Sequence, residues 1–125
     1  GVCIAGEKVK DSFAPGMNGS TFGANPVVCA GAVEVVSRVS KPEFLKKVQE
    51  KGEYFKERLL KMPNVEFVRG RGMMIDKDAH DVLNACAKAG LLILTAKDLV
   101  RFLPPLTITK EEIDAGLAIF AEQIK

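Results

Sequence analysis

Histidine occurs once in this sequence, at position 80, and cysteine three times, at positions 3, 29 and 86. A lone histidine opening a short helical stretch has no nucleophile near it, which excludes a Ser/His/Asp set. His80 reads as exposed and is given no role. The cysteines are odd in number, widely spaced and set in apolar sequence without a CxxC pair, so neither a zinc site nor a disulfide framework is expected. Buried, reduced thiols in a cytoplasmic protein are expected instead. An excess of charge is missing too: 18 Lys and Arg against 16 Asp and Glu leave +2, with the signs interspersed. That gives no support for a nucleic-acid or membrane partner. No apolar run approaches the roughly 20 residues of a membrane span. There are no internal repeats, and no low-complexity tract. The chain opens at Gly1 without an initiator methionine or signal peptide, and a cut inside a longer protein is expected.

What is present is apolar residues, 47% of 125, enough for a core in one domain or in a piece of a larger one. Residues 2–5 read as a strand closed by Gly6, and residues 7–13 as a short helix. Residues 14–25, APGMNGSTFGAN, are a loop. Asn25 then caps a helix with Pro26 in its first turn, and Val28, Ala32, Val35, Val36 and Val39 recur at helical spacing. Small residues at 30–32 would let another backbone approach. Ser40-Lys41-Pro42-Glu43 restarts the helix, with Ser40 as the cap. Phe44, Val48, Phe55 and Leu59 stripe one face of about 20 residues, while the KKVQEKGEYFKE run is a solvated face.

Residues 65–69 read as a strand, 69–72 as a turn, and 73–75 as a second apolar run. Val82, Leu83 and Cys86 mark a short helix stopped by Gly90. Residues 91–106, LLILTAKDLVRFLPPL, read as two apolar strands around a polar turn at 96–98, ended by Pro104 and Pro105. Thr109-Lys110-Glu111-Glu112 is a capping box for a last helix striped by Ile113, Leu117, Phe120 and Ile124. From Val65 onward the order β, β, α, β, β, α suits helices on one face of a largely antiparallel sheet.

Two places could carry chemistry. Arg101 is one charge inside an apolar strand, and a guanidinium cannot shed its proton, so it calls for an anion. The anion could be a carboxylate of the protein or of a ligand. The loop Asn18-Gly19-Ser20-Thr21-Phe22-Gly23 offers two hydroxyls and free N–H groups that could cradle a phosphate, although such clusters often mark turns alone. Arg69 and Arg71 flank glycines, could hold a carboxylate, and read better as exposed.

Taken in order, STFGANPVVCAGA, RGRGMMI and GLLILTAKDLVRFLPPLTITKEEID resemble the C-terminal portion of the class III aminotransferases, in their acetylornithine branch, over nearly the whole chain. The resemblance implies a fold-type I pyridoxal 5′-phosphate (PLP) enzyme of mixed α/β class. Residues 1–40 would be the tail of the large domain, with a strand and a long helix. Residues 41–125 would be the α+β C-terminal small domain.

It also implies amino transfer from N-acetylornithine or a related ω-amino acid to 2-oxoglutarate, in arginine biosynthesis and as a homodimer. Thr21 would reach the cofactor phosphate of the neighbouring subunit, with Ser20 a second phosphate-proximal position. Arg101 would hold the α-carboxylate of glutamate or 2-oxoglutarate. The lysine that binds the cofactor covalently would lie upstream of Gly1, so the fragment alone is expected to be inactive. Asn18 stands where the family usually has His. Asp76 to Asp78 follow Ile75 at once, where the family has a longer strand and loop. The other reading is a free-standing α+β module that binds a small carboxylate or a protein without catalysis. If residues 1–40 belong to a large domain, they should be poorly ordered or self-associating here, while residues 65–125 fold.

Overall fold

The computed structural model describes residues 4–70, 75–78, 80–96 and 99–125, with 75–78, 80 and 96 described by backbone alone. Four helices and three strands occur among the described residues: α1 (Pro26–Val39), α2 (Pro42–Leu60), β1 (Ile75–Asp78), α3 (His80–Lys88), β2 (Leu94–Ala96), β3 (Leu99–Phe102) and α4 (Lys110–Gln123). The chain divides into two compact units, Gly1–Arg38 and Val39–Lys125, each described by itself.

The first unit is loop and helix. Residues 4–6 are irregular, in place of the expected strand, whose first residues lie outside the described ones. The helix expected at 7–13 is a pair of turns closed by Val9 N–H to Gly6 O (3.0 Å) and Ser12 N–H to Val9 O (3.1 Å). A stretch this short, ended by Pro15, does not recover the cost of nucleating a helix. Asn25 caps α1 as expected: its Oδ1 accepts the Val28 N–H at 3.0 Å. No residue of α1 is buried, and Val27, Val28, Val33, Val35 and Val36 are exposed. Cys29 is exposed as well, against the expectation of a buried thiol, because its helix has no covering layer within this unit. Exposed apolar surface of this kind marks a contact face.

The second unit holds the core. β3 is the middle strand of an antiparallel sheet ordered β1-β3-β2, with Ile75 opposite Phe102, Asp76 opposite Arg101 and Leu94 opposite Arg101 on the other side. The expected antiparallel pairing is therefore present, and it runs through residues 75–78. Strand residues alternate in direction. Val100 and Phe102 are buried, and Leu99 and Arg101 are half-buried. Phe102 stands edge-on between Phe55 of α2 (centroids 5.3 Å apart, 74°) and Phe120 of α4 (5.0 Å, 84°). These perpendicular pairs suit the ring quadrupoles. Leu59, Cys86, Ile113 and Leu117 complete the centre. The expected stripes of α2 and α4 are the buried faces of those helices.

Three further readings need correction. Residues 65–68 form no strand, and Arg69 makes an isolated bridge; their alternation was partial, and Gly70 has φ 148°, a conformation glycine adopts most readily. Lys41, not Ser40, is the N-cap of α2, without a side-chain bond; Pro42, with φ already fixed and no N–H to satisfy, starts the helix. β2 begins at Leu94, so residues 91–93 are irregular; Leu91 N–H turns back to Cys86 O (2.8 Å) after Gly90 at φ 90°. The expected turns at 71–72 and 97–98 lie outside the described residues, as do Met73 and Met74 of the apolar run. The capping box of α4 is complete: Thr109 Oγ1 accepts from Glu112 N at 3.2 Å, and Glu112 Oε2 from Thr109 N at 2.8 Å.

Candidate functional site

Arg101 sits on the middle strand, between two buried neighbours that face the helices. Strand alternation therefore puts its side chain on the face turned away from the core. It is half-buried, and it is not without a partner. A guanidinium held by a strand with paired neighbours on both sides is a rigid planar fork, suited to two parallel bonds to a carboxylate.

The strand leaves the sheet through Pro104 and Pro105, where Ile108 N–H closes a turn to Pro105 O at 3.0 Å. Here α2 reaches across: Lys51 Nζ donates to Leu106 O and to Ile108 O, each at 2.7 Å. Below this connection lies an apolar cleft of about 250 Å³, walled by Phe55, Leu91, Phe102, Pro104, Ile113 and Gly116 among others.

The loop of the first unit is built from its own side chains. Asn18 Oδ1 accepts the Gly19 N–H at 2.9 Å, and Ser20 Oγ accepts the Gly23 N–H at 3.0 Å. A Cβ on Gly23 would lie 3.0 Å from Ser20 Cβ, so a larger residue there would push the Ser20 side chain aside. Asn25 Nδ2 donates to Phe22 O at 2.8 Å, and Ala24 at φ 58° redirects the chain into α1. Ser20 and Thr21 are exposed at the tip. Ser20 accepts with its oxygen, which leaves its proton to donate outward. Two hydroxyl donors beside a glycine turn fit a phosphate. Ser20 and Thr21 belong to one unit and Arg101 to the other, and each candidate is described within its own unit.

Other expectations resolve more simply. Arg69 is exposed as read, and it too has a partner; Arg71 lies outside the described residues. His80 is the first residue of α3. No group of three metal-ligating side chains occurs among the described residues. No described helix is long and apolar enough to cross a membrane. Lys10 pairs with Glu7 at 2.9 Å on the surface. Burial pushes the Cys86 thiol above its ordinary value of 9.0, which keeps it protonated and unreactive.

The run read as a solvated face holds what the sequence did not reveal. Besides Lys51, Tyr54 donates its O–H to Asp114 of α4 (2.8 and 2.7 Å to the two carboxylate oxygens). Arg58 Nε lies 3.1 Å from Asp114, and Lys110 stands 5.0 Å above the Tyr54 ring. The only signal was a tyrosine one turn before an arginine. The hydrogen bond to Asp114 raises the Tyr54 pKa above 10.0, with desolvation and the carboxylate's charge adding to it.

A raised folded value means the clasp contributes its full stability below pH 10.0 and loses it as pH climbs through the folded pKa. Tyr54 is the sole tyrosine and tryptophan is absent, so phenolate absorbance reads this one group. Its midpoint is expected above 10.0 and returns toward that value in Asp114→Asn. An ordinary midpoint in the unsubstituted protein would exclude the bond.

With this geometry in place, the fold and the residues agree with one group of enzymes. The class III aminotransferase family profile matches residues 2–124, and the chain belongs to that family. It is 41% identical to acetylornithine aminotransferase of Haemophilus ducreyi over 98% of this chain and 32% of that protein. It is 42% identical to acetylornithine aminotransferase of Aquifex aeolicus over 98% of this chain and 33% of that protein. Among solved structures, it is similar to acetylornithine aminotransferase from Elizabethkingia anophelis (TM-score 0.74, 27% identity, 97% of this chain and 34% of that one). It is also similar to ornithine aminotransferase from Toxoplasma gondii (0.72, 31%, 94% and 30%), whose active site carries PLP at partial occupancy.

The chain thus spans about a third of the length of the curated relatives it matches. The alignment with acetylornithine aminotransferase of Clostridium acetobutylicum (38% identity, 35% of that protein) runs over 135 residues against the 125 here, so that relative carries about ten residues more within the matched span.

Proposed function

We propose that residues 1–125 supply the carboxylate-binding and phosphate-contacting parts of a cytoplasmic acetylornithine-type aminotransferase acting as a homodimer. The amino donor would be N-acetylornithine or a related ω-amino acid, and the acceptor 2-oxoglutarate. Residues 1–40 would belong to the cofactor domain and 41–125 to the small domain. PLP, when bound, supplies the electron sink and carries the amino group. Thr21 and Ser20 would hold its phosphate by their hydroxyls, Thr21 across the dimer. Arg101 would grip the α-carboxylate of 2-oxoglutarate or glutamate and set the angle at which the adjoining carbon is presented. Water would be excluded from that ion pair, and the pair strengthened, by parts of the enzyme that cover this face of the sheet. The covalent work would fall to a lysine outside this chain, so residues 1–125 alone would turn nothing over.

One observation carries this reading: a half-buried arginine at the centre of a sheet, facing away from the core. A second reading has the register in its favour, because Asp76 stands opposite Arg101 and is an acid of the chain itself. Titrating the ¹⁵N-labelled chain with 2-oxoglutarate separates the two. Shifts centred on residues 99–102, lost in Arg101→Ala and retained in Asp76→Asn, are expected. An identical response in wild type and Arg101→Ala would remove Arg101 from the site.

A further inference from the structure

We propose that Lys51 is a positioning residue for Arg101, a role that rests on the reading of Arg101 as a carboxylate clamp. Its ammonium donates to two carbonyls, of Leu106 and Ile108, 55 and 57 residues away in sequence, both at 2.7 Å. Those carbonyls belong to the connection between β3 and α4, which begins two residues after Arg101. Otherwise the connection is held by the Ile108 N–H to Pro105 O turn and by Ile108, which packs against the core. Pro104 and Pro105 have no N–H to offer, so a backbone ladder cannot continue through them. Leu103 and Leu106 are 50% and 42% exposed, so their burial adds little between β3 and Ile108.

Its far end is fixed by the Thr109–Glu112 capping box and its near end by the buried ring of Phe102. Phe102 fixes β3 against the helices, while the Lys51 tie fixes where the strand leaves the sheet. The ladders to β1 and β2 already fix the register of β3, and these two ties limit its twist at the C-terminal end, a motion that would turn the guanidinium. A flexible four-carbon stem ending in three donors can reach two converging carbonyls from a helix above. A guanidinium fork can do so as well, and methionine keeps the apolar stem while losing every donor.

The test uses the whole chain in three variants, Lys51→Met, Lys51→Arg and Arg101→Ala, with amide hydrogen exchange and 2-oxoglutarate titration as readouts. In Lys51→Met, protection of residues 99–102 and 108 is expected to fall about tenfold or more relative to Val48, Phe55, Leu59 and Phe120. That is the scale of a lost charge-assisted hydrogen bond. The apparent Kd for 2-oxoglutarate rises in step, and Lys51→Arg restores both. Arg101→Ala abolishes the 2-oxoglutarate response and leaves the exchange pattern unchanged.

A uniform fall in protection, or none, would overturn the proposal, since a merely stabilising contact lowers all sites together. So would a local fall in protection with 2-oxoglutarate affinity unchanged. If Arg101→Ala responds to 2-oxoglutarate like the wild type, the clamp itself has failed and takes the role of Lys51 with it. The Arg101→Ala arm identifies that case.

Discussion

Replacing Phe120 by alanine is expected to leave the Val39–Lys125 unit unfolded at room temperature or very near its midpoint. Phe120 is 1% exposed, and its ring meets Phe102 edge-on at 5.0 Å, which in turn meets Phe55 at 5.3 Å. Truncating a buried phenylalanine costs about 3–5 kcal/mol, because the transfer free energy is lost and the cavity left behind collapses only in part. The perpendicular ring pair adds about 0.5–1.5 kcal/mol. Small domains hold only about 5–15 kcal/mol in total, and this unit is at the small end of the range, where the core is thinnest. Far-ultraviolet circular dichroism against urea is the check. A midpoint within the error of the wild type would mean that α4 is not docked as described. Leu117→Ala serves as a milder comparison, at about 2–5 kcal/mol.

The second large effect falls on chemistry. In a chimera where residues 1–125 replace the matched third of the Haemophilus ducreyi enzyme, Arg101→Ala is expected to lower kcat/KM for 2-oxoglutarate by about 10²–10³. Removing one partner of a desolvated, hydrogen-bonded charge pair costs about 2–5 kcal/mol, and each 1.36 kcal/mol is about tenfold in rate. The guanidinium is half-buried on the middle strand, which places the expected loss inside that range. Arg101→Lys should recover only part of it, because a single ammonium cannot form two parallel bonds to a carboxylate. The loss should fall on the 2-oxoglutarate/glutamate half-reaction, in which the α-carboxylate adjoins the reacting carbon, and largely spare the half-reaction of the amino donor, whose reacting ω-carbon is remote from its carboxylate. An equal loss in both half-reactions would point to a different contact.

The parts of the fold that were legible in the sequence are those where one local rule suffices. The stripes of α2 and α4, the Asn25 cap, the capping box at Thr109 and the stop at Gly90 each depend on a few neighbouring residues. The failures share a cause. Residues 65–68 had a strand-like composition, but a strand needs a partner along its length, and the sheet uses β3 to pair residues 75–78 instead. Residues 7–13 had helical residues without the length to sustain a helix.

For the site, Arg101 was conspicuous because a charge in an apolar run is costly. Its direction followed from alternation once the middle strand was known. Lys51 and Tyr54 were hidden because a lysine and a tyrosine on a charged helix face look solvated, and only the fold brings them to Leu106, Ile108 and Asp114. The covering of α1 is likewise not written in these residues, whose apolar side chains lack partners within their own unit.

The most direct test of the whole account is turnover by that chimera with Arg101 intact. N-Acetylornithine and 2-oxoglutarate should be converted in a PLP-dependent reaction, at a rate within about an order of magnitude of the parent enzyme, since a misplaced site costs about 10² or more. A chimera that folds, dimerises and binds PLP yet transfers no amino group would contradict the claim that these residues complete an aminotransferase site.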